Sequence, residues 1–458
     1  MFKFVPPPAA ASFVVMLFVS GISGGLLQSA LAAEFRVDPH LDTNLISQYY
    51  PQAISSTTNT DFEILHLEVP TSLQWGTALG IKVRPEVQLD PLNLSQSERY
   101  WIEFPEAYLQ LKPIEGGSSL LTAQIGLNTF TWGVTDVFNP LDIVNTRRYE
   151  DPLATDKLGA PSILLHTELP GGVISMEGVY IPLQRQAILP GVNSRWLPRN
   201  SFQSQSVQYD GVAATILPPS SVDFAYTDPQ VLDNALNNNV GARIEAHLPS
   251  LDLALIFFDG AAGMPATDLQ LSGAVIEVDP NVVIAADPNI GITPVYYRQL
   301  VGGGNFTYAL GDFIFRGEAA LTRVVSQRSD LPTLTNEFAA EIEHDFSLGD
   351  DPLTTFLEVT YAQHSEAIDP SLASLGRIFD RAVLLGLRYA RAAGFSVSAL
   401  GMLDTAYHGQ LAHLEIAYPL SDSIKPSLSG DLILGPTGTP LGTYQQNDRI
   451  TFTLKYSI

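Results

Sequence analysis

The sequence predicts an all-β fold: a transmembrane, up-and-down antiparallel β-barrel of about sixteen strands (range about 14 to 18). Three observations carry this. Apolar and polar residues alternate along many short segments, which is the period of a strand with two unlike faces. The connections between segments alternate between tight turns and long loops, as a barrel with one plain rim and one elaborated rim requires. Charged residues make up only 16% of the chain against roughly 25% in soluble domains, while hydrophobic residues stay ordinary at 45%.

Residues 1–32 read as a cleaved export signal: Lys3, an apolar run from Ala9 to Leu27, then Ala30-Leu31-Ala32. Residues 33–72 read as a periplasmic lead-in or an extra N-terminal strand, the second because Phe62 to Val69 alternates. The barrel is expected over 73–458. Its tight turns carry turn-forming residues: Pro113 to Ser118, Leu169 to Gly172, Pro249-Ser250, Leu310 to Asp312, Leu348 to Asp350, Arg391 to Gly394 and Pro419 to Ser421. Between them fall the long connections, 90–98, 132–160, 184–238, 261–294, 325–336, 365–377, 404–409 and 435–447.

Strand parity assigns the faces. Val240, Ile244 and Leu248 oppose Arg243, Glu245 and His247; Phe313, Phe315 and Leu321 oppose Arg316 and Glu318; Phe338, Ile342 and Phe346 oppose Glu341, Glu343 and Asp345. Leu357, Val359 and Tyr361 oppose Glu358; Val383, Leu385 and Leu387 oppose Leu384 and Arg388; Leu414, Ile416 and Tyr418 oppose His413 and Glu415. A charge turned to lipid at mid-membrane costs about 2–4 kcal/mol, so the charged face is expected to line the lumen, together with Asp431 and Lys455. Tyr389, Phe395, Tyr418 and Tyr456 sit on the apolar face beside tight turns, where an interfacial girdle belongs.

The last strand closes the pattern. Ile450, Phe452, Leu454, Tyr456 and Ile458 alternate with Thr451, Thr453, Lys455 and Ser457 to the final residue. This resembles the terminal strand of bacterial outer-membrane β-barrels, with an aromatic third from the end and Ile458 where an aromatic is usual. The resemblance implies an outer-membrane location, contact with lipid and lipopolysaccharide, insertion by the barrel-assembly machinery, and a monomer or homotrimer.

Composition narrows the function. With 48 acidic against 24 basic residues the net charge is −24, which disfavours nucleic acid as a partner. There is no cysteine, and no serine-elbow, zinc-helix or phosphate-loop motif, so no catalytic residue, cofactor or metal ligand is assigned and the chain is not expected to be an enzyme. A hydrolase site assembled from separate strands is the remaining enzymatic alternative.

The densest stretch is Phe130 to Pro152, FTWGVTDVFNPLDIVNTRRYEDP. Its WG-x-x-D and NP-x-D elements resemble a connection in porin-like outer-membrane families, among them polysaccharide-export-like and hydrophobic-compound channels. The likeness extends through the next hairpin and Arg195 to Arg199. A connection with carboxylates and adjacent guanidiniums can fold into the lumen, where ion pairs and water satisfy its charges, and Arg147 and Arg148 facing Asp136, Asp142 or Asp151 would set a transverse field across a constriction. The alternative is local pairing that holds an outer loop. The lumen set, Arg243, Glu245, Arg316, Glu318, Glu341, Glu343, Glu358, Arg388 and Glu415, is mainly acidic and motivates a modest cation preference. The expected function is a porin-like channel for passive passage or export of small solutes. The alternative is a plugged barrel that binds partners through the loop at 184–238.

Overall fold

The computed structural model describes residues 35–458 except 56–57, 77, 113–119, 199–204, 210–211, 218–222, 280–281, 327, 329–330, 350, 366–377 and 392–393. The export signal, the turn at Pro113 to Ser118 and the loop at 366–377 therefore lie outside the described residues. No described helix is long and apolar enough to cross a membrane.

One sheet of twenty strand segments closes on itself. Two of these segments are the outer halves of broken strands, so the barrel has eighteen strands rather than about sixteen. The difference lies before Leu73. Asp42–Tyr49 and Asp61–Glu68 pair with each other, and Asp42–Tyr49 also pairs with Arg449–Ser457, from Asp42 opposite Ser457 to Tyr49 opposite Ile450. The first strand thus closes the barrel against the last. Asp42–Tyr49 (DTNLISQY) has few apolar residues, so its alternation is hard to read from sequence.

The breaks have a common cause. Phe35–Pro39 runs into Asp42–Tyr49, and Asp61–Glu68 runs into Thr71–Trp75; both halves of the latter pair with Leu79–Leu89. Pro39 and Pro70 stand at the interruptions, and Pro85 lies within the register shift between Arg84 and Glu86. Proline removes a ladder donor, so the wall bends where these residues meet.

From Leu79 onward, each strand pairs antiparallel with its neighbours. The pattern continues to the terminal strand. Tight turns and long connections alternate as the sequence implied, with Gly311 and Gly349 supplying φ of 60° and 69° at two of the tight turns. Three long connections carry strands of their own, and two of them join in a second sheet. Val282–Tyr296 lies at the centre of a six-stranded sheet, antiparallel to Ala266–Asp279 and parallel to Val212–Leu217, Asp223–Tyr226 and Gln230–Val231.

The faces follow parity. Leu384 is fully buried while its neighbour Leu385 is 62% exposed. Leu255, Phe257, Phe338, Val359, Leu414 and Phe452 belong to the same exposed apolar belt. An apolar surface this continuous needs a bilayer or a partner to cover it. The inner face is less uniformly polar than parity implied. Ile256, Phe258, Val301, Leu384, Met402 and Ile433 are inward and buried, packed against connections that enter the barrel.

Candidate functional site: a connection folded across the lumen

The connection between Leu120–Asn128 and Ala160–Glu168 enters the barrel and is held on all sides. Asn145 staples its two ends: its Oδ1 accepts the Phe130 N–H at 2.7 Å, and its Nδ2 donates to the carbonyls of Asn128 (2.9 Å) and Leu158 (2.8 Å). Inside, Arg147–Arg148 pairs with Asp156–Lys157 in a two-stranded ribbon.

Two apolar side chains of the connection rest on wall glycines. A Cβ on Gly241 would lie 2.6 Å from Cη2 of Trp132, and one on Gly303 would lie 2.6 Å from Cδ2 of Leu141. Both positions need the missing side chain so that the connection can approach the wall. The Trp132 indole N–H donates to Glu177 at 2.7 Å, and its carbonyl accepts the Asn305 amide at 2.7 Å.

The tip, residues 134–141, is bracketed by three wall glutamates. Glu318 accepts the N–H groups of Val134, Thr135 (2.8 Å) and Leu141 (3.3 Å), and the Thr135 hydroxyl (3.0 Å). Glu341 accepts the Asp136 N–H at 2.8 Å, and Glu358 accepts those of Val137 (3.0 Å) and Phe138 (2.9 Å). Glu318 and Glu358 are almost wholly buried. Carboxylates buried this deeply require several donors, and the turn around Asn139-Pro140 presents its unpaired N–H groups to them.

The expected constriction residues all lie in this connection: Arg147 faces Asp142, one of the three aspartates named for it, while Arg148, Asp136 and Asp151 take other partners. Arg147 pairs with Asp142, which also accepts Lys157 Nζ at 2.8 Å. Arg148 pairs with Glu150 (2.8 Å) and Glu103 (3.5 Å), and its guanidinium carbon lies 4.1 Å from the ring centre of Trp101. Asp136 pairs with Arg388 of the wall, and Asp151 with Arg449. The field therefore divides into several short pairs between connection and wall. The sequence could not match the wall partners of Asp136 and Asp151, which lie 252 and 298 positions away.

Arg316 pairs with Glu341 and Glu343, Arg388 also reaches Glu343 at 2.7 Å, and Arg243 pairs with Glu245 at 2.5 Å. Asp136, Glu341 and Glu343 each bring an oxygen within 4.8 Å of the others, a spacing open to a cation. Arg316 and Arg388 already offset two of those three charges. Lys455 pairs with Asp42 at 3.4 Å, and Asp431 with Arg449 at 2.5 Å and His413 at 2.6 Å.

Glu98, Glu103 and Arg185 were not singled out from the sequence, and Arg195 and Trp196 were named there as part of the likeness at 195–199. Glu103 takes a two-pronged contact from Arg185, at 2.8 and 2.9 Å, as well as Arg148. Its inward parity next to the outward Ile102 was the available signal. Arg195 ties three outer connections together by donating to the carbonyls of Gln52 (2.9 Å), Asn59 (2.7 Å) and Gln446 (2.7 Å), with its guanidinium 4.2 Å from the Tyr50 ring centre. Beside it Trp196 packs on Tyr444, 5.6 Å between ring centres. Glu98, in the connection at 90–99, accepts the Gly191 N–H at 2.7 Å, and burial pushes its carboxyl up to about 7.

A serine, histidine and aspartate do meet near the short-turn rim: Ser175 Oγ is 3.5 Å from His247 Nε2, and His247 Nδ1 is 2.9 Å from Asp252. Ser175 also donates to Glu245 at 3.3 Å and lies opposite Glu168 and Glu245 at the turn end of the two ladders.

No protein-family model matches the chain, and no curated protein sequence does. Among solved structures the chain is similar to Wzi, an outer-membrane protein involved in group 1 capsule assembly in Escherichia coli and described as a carbohydrate-binding β-barrel. That match has a TM-score of 0.48 and 13% identity, covering 99% of this chain and 89% of that one. It is also similar to OccK5 (OpdH) of Pseudomonas aeruginosa, with a TM-score of 0.46 and 9% identity over 92% of this chain and 98% of that one. OmpF of Salmonella typhi, solved with daunomycin, matches with a TM-score of 0.42 and 10% identity over 92% and 97% of the two chains.

Proposed function

We propose that the chain is an outer-membrane barrel of porin-like architecture in which passive movement of small solutes is restricted by the connection at 129–159. The carrying observation is the bracketing of residues 134–141 by Glu318, Glu341 and Glu358 from the wall. Outer-membrane placement rests on the exposed apolar belt of a closed barrel, with both described chain ends on the short-turn side. The WG-x-x-D and NP-x-D elements support kinship with porin-like families, because their residues form the in-folded turn. The wall glutamates are committed to N–H groups and arginines and keep an acidic surplus in the lining, which supports the modest cation preference expected.

Single-channel recording of the refolded protein in planar bilayers tests this. The expected result is a small conductance that rises several-fold when residues 134–141 are replaced by a short glycine linker. A large conductance unchanged by that replacement overturns the assignment of the constriction.

A second reading, a surface-binding barrel, is favoured by the six-stranded sheet that the long connections build beyond the barrel wall. Absence of conductance both before and after the replacement would support it.

A further inference from the structure

On the short-turn side of the in-folded connection, the lumen wall carries a cleft of about 360 Å³. Thr354, Arg388, Ser398 and Glu415 lie side by side in one row across four strands, each directly opposite the next. Ser396 and Lys425 complete the polar lining nearer the rim. This volume is at the small end of ligand sites.

The charges in the cleft are unevenly committed. Arg388 is spent on Asp136 and Glu343 through one nitrogen, yet its side chain remains 48% exposed. Glu415 and Lys425 line the same cleft without an ion pair of their own among the described residues, although both signs are present. Lys425 instead faces Lys455 across the ladder, and Lys455 already pairs with Asp42. Like charges directly opposite one another are unfavourable in a sheet, so an anionic group beside Lys425 would relieve the pair. Two opposite charges lining one cleft but held too far apart to pair are arranged for a ligand carrying both signs at a similar spacing.

We propose that this cleft binds a small zwitterionic solute with amino and carboxylate ends, such as a short peptide. The carboxylate lies toward Lys425 and the exposed edge of Arg388, the ammonium toward Glu415, and the hydroxyls of Ser396 and Ser398 bond the polar middle. This deepens the channel reading by naming a solute class for the vestibule below the constriction. Binding is measured on the protein in detergent, so its outcome is independent of conductance.

The test is calorimetric titration with dialanine, N-acetyl-dialanine and dialanine amide, which carry both charges, the carboxylate only and the ammonium only. The expected result is dialanine binding at least tenfold tighter than either single-charge probe. Glu415→Gln should abolish the preference over N-acetyl-dialanine, and Lys425→Gln the preference over the amide. Heat-modifiable migration in gels reports that each variant is folded. No binding by dialanine, equal binding by all three probes, or unchanged selectivity in both folded variants overturns the proposal.

Discussion

Replacing Glu318 with alanine removes the acceptor on which the in-folded tip depends most. One side chain takes three backbone N–H groups and the Thr135 hydroxyl, and it is almost fully buried. At about 1 kcal/mol net per bond, the four contacts amount to roughly 4 kcal/mol. Water entering the space left by the side chain recovers part of this, so the expected net loss is about 2 kcal/mol. That corresponds to a ~30-fold rise in the undocked population of residues 134–141. Glu341 and Glu358 still hold Asp136, Val137 and Phe138, so the barrel stays folded while the tip loosens. Hydrogen exchange on the detergent-solubilised protein reads this at the amides of Val134, Thr135 and Leu141, with Leu414 in the far wall as an internal standard. Glu318→Gln should fall between wild type and alanine, because its amide keeps one acceptor and turns a donor toward an N–H. Exchange at the three amides within twofold of wild type in Glu318→Ala would refute the bracket as the source of docking.

Three further outcomes follow from the same contacts. Gly241→Ala places a methyl against the Trp132 ring and should cost about 1–3 kcal/mol with a red-shifted tryptophan emission, whereas Gly302→Ala, which meets nothing within 4 Å, should leave the emission unchanged. Glu98 has its carboxyl raised from 4.5 to about 7 by burial, so the docked form binds more protons than the released form between those values. Docking of Gly191 should therefore weaken as pH rises through that window and level off above it, and Glu98→Gln should flatten the exchange profile at Gly191. Arg195→Lys loses the planar fork that reaches three carbonyls in two neighbouring connections, and should expose 50–60 and 435–448 to limited proteolysis without loss of heat-modifiable migration.

The parts of the fold that were legible in the sequence are those decided within one strand. Leu384 beside Leu385, or Glu358 between Leu357 and Val359, declares its face by parity because lipid on one side and lumen on the other penalise the wrong residue at each position. The alternation of Gly- and Pro-rich turns with long connections was equally local. The first strand was not legible: Asp42–Tyr49 is mostly polar, and it is held as a strand by the ladders of its neighbours on both sides. The in-folded connection lay between these cases. Its composition, with Asn139-Pro140 and charges of both signs, marked it as a segment for the lumen, but the partner of each charge depends on which strands face it across the barrel.

The buried apolar residues on the inner wall answer a physical question that strand parity leaves open. A lumen lined only by charges would have to pay desolvation wherever a connection dried it, yet Trp132, Leu141 and Val144 enter against Ile256, Phe258 and Val301, where little polar surface is lost. On the other side Val137 and Leu153 join Leu384, Met402 and Ile433. The tip's own N–H groups are what remains, and these are met by Glu318, Glu341 and Glu358. Apolar packing thus supplies the adhesion and the glutamates fix the register of the tip. Substituting the glutamates should release the tip while leaving the flanks of the connection docked, whereas substituting Trp132 should release the near flank and leave the bracketed tip in place.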